Sequence, residues 1–103
     1  MTLSGKEKAA LRAEAHHLPV IVHIGKEGLT PTVFASLDDA LRTRELVKAQ
    51  LNRMVEEKAR TVAHALATEA AAEVVQVIGR TFTLYRHNPE IAREFGDLPP
   101  WRR

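Results

Sequence analysis

Val20-Ile21-Val22-His23-Ile24-Gly25-Lys26-Glu27-Gly28-Leu29-Thr30-Pro31 is the stretch on which the fold turns. Its first five residues are an apolar run that reads as a strand. Its last two announce a helix: Thr30 is suited to the N-cap, and Pro31 to the first helical position, where no N–H is required. Gly25-Lys26-Glu27-Gly28 joins the two. A short glycine loop feeding a helix start is a natural anion cradle, because the backbone can come close and first-turn N–H groups lack intrahelical partners. The spacing fits neither the P-loop nor the dinucleotide fingerprint. It does fit the GXXG loop with which small RNA-binding domains clamp a nucleic-acid backbone.

Outward from this stretch the chain alternates. Ser4-Gly5-Lys6-Glu7 has the spacing of a capping box and opens a first helix, with Leu11, Ala15 and Leu18 on one face, ending near His16-His17. Pro19 releases the chain into the strand. After the loop, Val33, Phe34, Leu37, Ala40 and Leu41 repeat at helical spacing to about Thr43, with Asp38 and Asp39 on the solvent side. Glu45 to Leu51 reads as a second strand, with Val47, Ala49 and Leu51 on one face and Lys48 and Gln50 on the other. Arg53 to about Ala70 reads as a third helix, striped by Val55, Ala59, Val62, Ala63 and Leu66. Val74 to Ile78 and Thr81 to Tyr85 flank Gly79-Arg80 as a hairpin, with glycine placed for a type II′ turn. Residues 87–103 hold three of the five prolines and are expected to be a partly flexible tail with one helical turn near Pro89 to Phe95.

The expected order is α-β-α-β-α-β-β. Right-handed crossovers should make the strands they join parallel, and the hairpin should add one antiparallel strand. The fold class expected is α+β (α/β), two-layer, with a four-stranded mixed sheet and helices packed on it.

The 103 residues are enough for one domain with one modest core. The net charge is only +2, with a pI of about 9.3, so any basic surface must come from segregation in space. There is no cysteine, which removes disulfides, thiolate catalysis and thiolate metal sites. The start of the chain reads as a charged helix without a signal peptide, and no apolar run has membrane-spanning length. The expected location is the cytoplasm.

Leu3-Ser4-Gly5-Lys6, then Val22 to Thr30, then Arg44-Glu45-Leu46-Val47-Lys48, then Val75 to Arg86 occur in an order and spacing that closely resemble the CRM domain (chloroplast RNA splicing and ribosome maturation), in its stand-alone bacterial YhbY-like form. The resemblance spans about Leu3 to Arg86. It implies a fold similar to the C-terminal domain of translation initiation factor three. It implies binding to structured RNA, in bacteria to precursors of the large ribosomal subunit, and no catalysis. It implies RNA contact at Gly25, Lys26 and Gly28. Glu27 stands where the family more often has a neutral or basic residue, which brings the loop's charge near zero.

The expected RNA-binding set is Gly25, Lys26, Glu27, Gly28 and Thr30 at the loop, Lys6, Lys8 and Arg12 as a basic stripe on the first helix, and Lys48, Arg80 and Arg86 on the strands and hairpin. Arg42, Arg44 and Arg53 are read as structural partners of Asp38, Asp39 and Glu45. His23 is read as a half-buried strand histidine. Of Phe82 and Tyr85, on opposite sides of one strand, one is assigned to the core and the other is free to stack on a base. The five histidines lack a zinc spacing, and no nucleophile or acid–base pair stands out. No catalytic residue, metal or cofactor is expected.

Residues 1–86 are read as the RNA-binding domain and 87–103 as the tail. The function expected is assistance in assembling the large ribosomal subunit, with structured ribosomal RNA and ribosomal proteins as partners and no membrane. The alternative is a protein-interaction module of a ribosome-associated complex that uses the tail bearing Trp101.

Overall fold

A computed structural model describes residues 3–91. The expected succession is present: α1 (Gly5–Ala15), β1 (Val20–Ile24), α2 (Pro31–Arg44), β2 (Leu46–Leu51), α3 (Ala59–Ala70), β3 (Glu73–Ile78) and β4 (Thr81–Tyr85). Local chemistry sets the helix starts. At α1 the Ser4 hydroxyl accepts from Glu7 N–H while Ser4 N–H donates to the Glu7 carboxylate, a complete capping box. At α2 the Thr30 hydroxyl accepts from Val33 N–H and Pro31 takes the first turn. Gly79 has φ +59 and Arg80 a negative φ, as a type II′ turn requires.

One helix boundary differs from the sequence reading. α3 starts at Ala59, not Arg53. Asn52 stops it: its side-chain oxygen accepts from Met54 N–H and its carbonyl from Val55 N–H. Such an Asx turn competes with helix for the same backbone donors. Val55 still reaches the core, but from a loop.

The strand order is β1-β2-β4-β3. β1 and β2 are parallel, and β4 runs antiparallel to both its neighbours. β2 and β3, joined through α3, therefore point the same way. α2 and α3 cover one face, where Val22, Ile24, Val47, Ala49, Leu51, Phe82 and Leu84 meet Leu37, Leu41, Val62 and Leu66. Burying each large side chain in this layer stabilises the fold by roughly 1.5–3 kcal/mol. α1 departs from the expected two-layer arrangement: it crosses to the other face, where Leu3 and Leu11 pack on Leu46, Val75 and Tyr85, and forms a partial third layer. Phe82 and Tyr85 are thus both buried, and neither is left to stack on a base. His23 is exposed, because strand alternation sends it away from its buried neighbours Val22 and Ile24.

The sheet end where β4 finishes is closed by side chains. Glu45, with φ 64 and ψ −48, turns the chain between α2 and β2. Its buried carboxylate accepts from Asn88 N–H at 2.6 Å and lies 3.1 Å from His87 Nδ1. Asn88 donates its amide to the Arg42 carbonyl. The segment after β4 is therefore bolted to the corner it crosses. The remainder of the tail, including the helical turn expected up to Phe95 and Trp101, lies outside the described residues.

Candidate nucleic-acid interface

At the opposite sheet end, Gly28 N–H donates to the Gly25 carbonyl at 2.9 Å, closing Gly25-Lys26-Glu27-Gly28 into a tight turn. Gly28 has φ +75, a conformation side chains resist. Gly25 has no such need, for a Cβ there would meet only the Glu27 carboxylate, at 3.6 Å. The two glycines therefore differ: Gly28 is required by the turn, whereas Gly25 leaves a bare backbone surface. Lys26 and Glu27 are both exposed.

The helix behind the loop offers fewer donors than its position suggests. Pro31 has no N–H, the Thr30 hydroxyl takes Val33 N–H, and the Thr30 carbonyl takes Phe34 N–H. Among the described residues, that leaves Thr32 as the first-turn N–H without a partner. Thr30 thus shapes the site as a cap.

Three chain ends are tied together beside the loop. Asn52 N–H donates to the Ile24 carbonyl, joining the ends of β2 and β1. Leu51 N–H donates to the Arg80 carbonyl, joining β2 to the hairpin turn. The Arg80 guanidinium donates to the carbonyls of Asn52 and Val55 at 3.1 and 3.3 Å. Between these ends lies an open cleft of about 330 Å³, lined by His23, Gly25, Gln50, Asn52, Arg53 and Arg80, among others. It sits beyond the carboxyl ends of the two parallel strands, where open sheets commonly take ligands. Among the described residues no acidic side chain lines it. The arginines bring positive charge, Gln50 and Asn52 bring amides, and Gly25 brings accessible backbone. That donor-rich set suits phosphate and ribose.

The expected residues divide. Gly25 and Arg80 line the cleft, and Lys26, Glu27 and Gly28 form the adjoining turn. Lys48 projects from the face of β2 opposite the main core and lines a second hollow with His16, Gln76, Ile78, Thr81 and Thr83. On α1, Lys8 and Arg12 share a line at i and i+4, whereas Lys6, two residues before Lys8, points elsewhere. α1 begins at the far end of the sheet, since Leu3 N–H donates to Glu73. Arg86 is also at that end, donating to the Asp38 carboxylate and carbonyl and to the Ala70 carbonyl. Arg42 pairs with Asp39 as expected, but Asp38 is held by Arg86 and Glu45 by the segment after β4. Sequence reading misses two cleft residues, Arg53 and His23. The helical reading of Arg53 fails because the Asn52 turn brings it to the cleft instead. The half-buried reading of His23 overlooks the alternation Val22-His23-Ile24, which turns it outward.

Comparison with known proteins gives one consistent result. The family model of the CRS1 / YhbY (CRM) domain matches residues 3–86. The chain is 39% identical over 88 residues to a Bacillus subtilis protein named probable RNA-binding protein YqeI, covering 85% of this chain and 92% of that one. It is 38% identical over 89 residues to a Haemophilus influenzae protein named RNA-binding protein, covering 86% and 90%. The solution structure of a Staphylococcus aureus protein, described as a candidate RNA-binding protein, superimposes with a TM-score of 0.72 at 35% identity, covering 86% of this chain and 93% of that one. The glycine turn, the hairpin and the four-stranded sheet thus sit in a chain that belongs to the CRS1/YhbY (CRM) domain family.

Proposed function

We propose that this protein binds RNA, as its relatives are named to do, that the RNA is structured, and that the protein assists maturation of the large ribosomal subunit without catalysis. The observation that carries the reading is the cleft at the glycine turn. There, two arginines, two amides and the bare backbone of Gly25 converge; among the described residues no carboxylate lines the walls, and the Glu27 carboxylate stands at the rim beside Gly25. Arg80 and Arg53 neutralise phosphates, Lys26 adds a mobile charge at the rim, and Gly25 lets the sugar–phosphate chain approach. Lys48, Lys8 and Arg12 extend the footprint across the sheet and α1. Contacts of this kind recognise the shape of an RNA more than its sequence.

The test is binding to a large-subunit ribosomal RNA fragment across a salt series. Displacing counterions from about four phosphates should weaken binding by roughly fifty-fold over a fourfold rise in salt. Affinity that stays flat over that range would sink the reading. Its ribosomal part is checked separately by sedimentation: the protein should travel with large-subunit precursors and be absent from finished ribosomes.

A further inference from the structure

We infer that the open face of the sheet is a track for an unpaired stretch of RNA, with one nucleotide seated in the hollow between the end of α1 and β4. This rests on the RNA-binding reading above and adds the form of RNA the face accepts.

α1 covers only one end of its face. Beyond it run two cross-strand rows that α1 leaves uncovered: His23, Gln50, Thr81 and Ile78, largely exposed, and then Lys48, Thr83 and Gln76, in which half-exposed Lys48 and Gln76 flank the buried Thr83. The first row leaves the cleft at the glycine turn, and the second ends in the hollow of about 210 Å³ under His16. Gln50 and Thr81, directly paired across β2 and β4, bridge the two cavities. The hollow holds an ammonium, an imidazole, an amide, two hydroxyls and an exposed apolar side chain, Ile78, at 60% exposure. As in the cleft, no carboxylate among the described residues lines it.

Thr83 supplies the second, independent observation. Its side chain is fully buried on the hollow's wall, and its hydroxyl has no hydrogen-bond partner among the described residues. A buried hydroxyl left unpaired is costly, and valine would fill the same space without that cost. A ligand that enters the hollow can satisfy it. A nucleobase has the shape for this: a flat, narrow edge carrying donors and acceptors, and faces that pack on imidazole and aliphatic surface. A duplex presents its phosphates on an outer ridge and keeps its bases stacked inside, so it cannot reach Thr83. A peptide adding itself as a strand would need the sheet's edge, whereas these groups lie on its face. Lys48, beside the hollow, is placed for the phosphate of the seated nucleotide.

The experiment compares two RNA probes by fluorescence anisotropy: a blunt hairpin, and the same hairpin with a short single-stranded adenosine overhang. The protein should bind the overhang probe about tenfold more tightly, the scale of one or two bases stacking on a protein surface. Ile78→Asp, at an exposed position that leaves the core intact, should bring the ratio to about one while blunt-hairpin affinity changes far less. Thr83→Val should lower the ratio about threefold and leave thermal stability equal or higher. Equal affinity of the unaltered protein for both probes would overturn the track, give the face to another partner, and leave duplex recognition standing. A ratio unchanged in both variants would also overturn it. Failure to bind either probe would overturn the RNA-binding reading itself.

Discussion

Arg80 and Arg86 bracket β4, one in the turn before it and one just after it, and they are used in opposite ways. Arg86 is half-buried, and its charge is balanced by Asp38 while it also holds the Ala70 carbonyl. Among the described residues, Arg80 is held by carbonyl oxygens alone, those of Asn52 and Val55. Carbonyls fix the guanidinium's position without cancelling its charge, so Arg80 is both oriented and electrically available. The contrast extends to the two ends of the sheet. Around Arg86, polar groups satisfy one another: Glu45, Asn88, Arg42 and Asp38. Around Arg80, exposed cations and amides face a cleft. One end ties the fold together, and the hollow of about 300 Å³ beside Arg86 carries the Glu73 carboxylate; the other end presents cations and amides to a partner.

Breaking the closed end should cost most. Arg86→Met removes charge-assisted hydrogen bonds and strands the Ala70 carbonyl, and urea denaturation should show a loss of about 2–3 kcal/mol. RNA affinity of the folded protein should be nearly unchanged. At the open end the signs reverse. Arg80→Gln should weaken RNA binding about tenfold, equivalent to about 1.4 kcal/mol, and should shallow the salt dependence by about one phosphate contact, with a smaller effect on stability. The glycines sharpen the distinction within the loop. Gly28→Ala forces a side chain into the φ +75 conformation and should cost about 1 kcal/mol or more of stability. Gly25→Ala should leave the denaturation midpoint in place and reduce RNA affinity severalfold. Equal effects of the two changes on folding would refute the separate roles given to them. Smallest of all, Lys26→Ala should weaken binding about twofold to threefold, as expected for one exposed, flexible cation. Glu27→Gln should strengthen it by a similar factor, because the carboxylate beside Gly25 repels phosphate; both are read from titrations at low salt.

Most of the architecture could be read from short-range pattern. The Ser4 and Thr30 caps, the Gly79 turn and the alternation of Val47, Ala49 and Leu51 are local statements, and local chemistry decides them. Asn52 misled because Arg53 to Lys58 are tolerable helix residues, and one side chain's bond to Met54 N–H outweighs their propensity. Tyr85 misled for another reason. Its burial depends on α1 crossing to the second face, a tertiary event that no window around Tyr85 encodes. The loop was legible as a motif, but its partners were not. Arg53 and Arg80 are 27 residues apart in the chain and meet only because β2 and the β3–β4 turn end at the same level. Arg80 and Arg86 looked equivalent in sequence, and only the position of Asp38 separates them.

The placement of β4 has a consequence for how the protein is made. Of the four strands of the sheet, β4 is the last to leave the ribosome, yet it lies second from one edge, between β2 and β3. Until it emerges, β2 has a partner on one side only, and β3 has none. The nascent chain up to about residue 80 is therefore an unfinished sheet with an open edge, the kind of surface that recruits other strands. Insertion of this single strand joins the two halves, so the chain should acquire its structure late and nearly all at once. A product cut short before Tyr85 should be an aggregation-prone species, not a smaller domain.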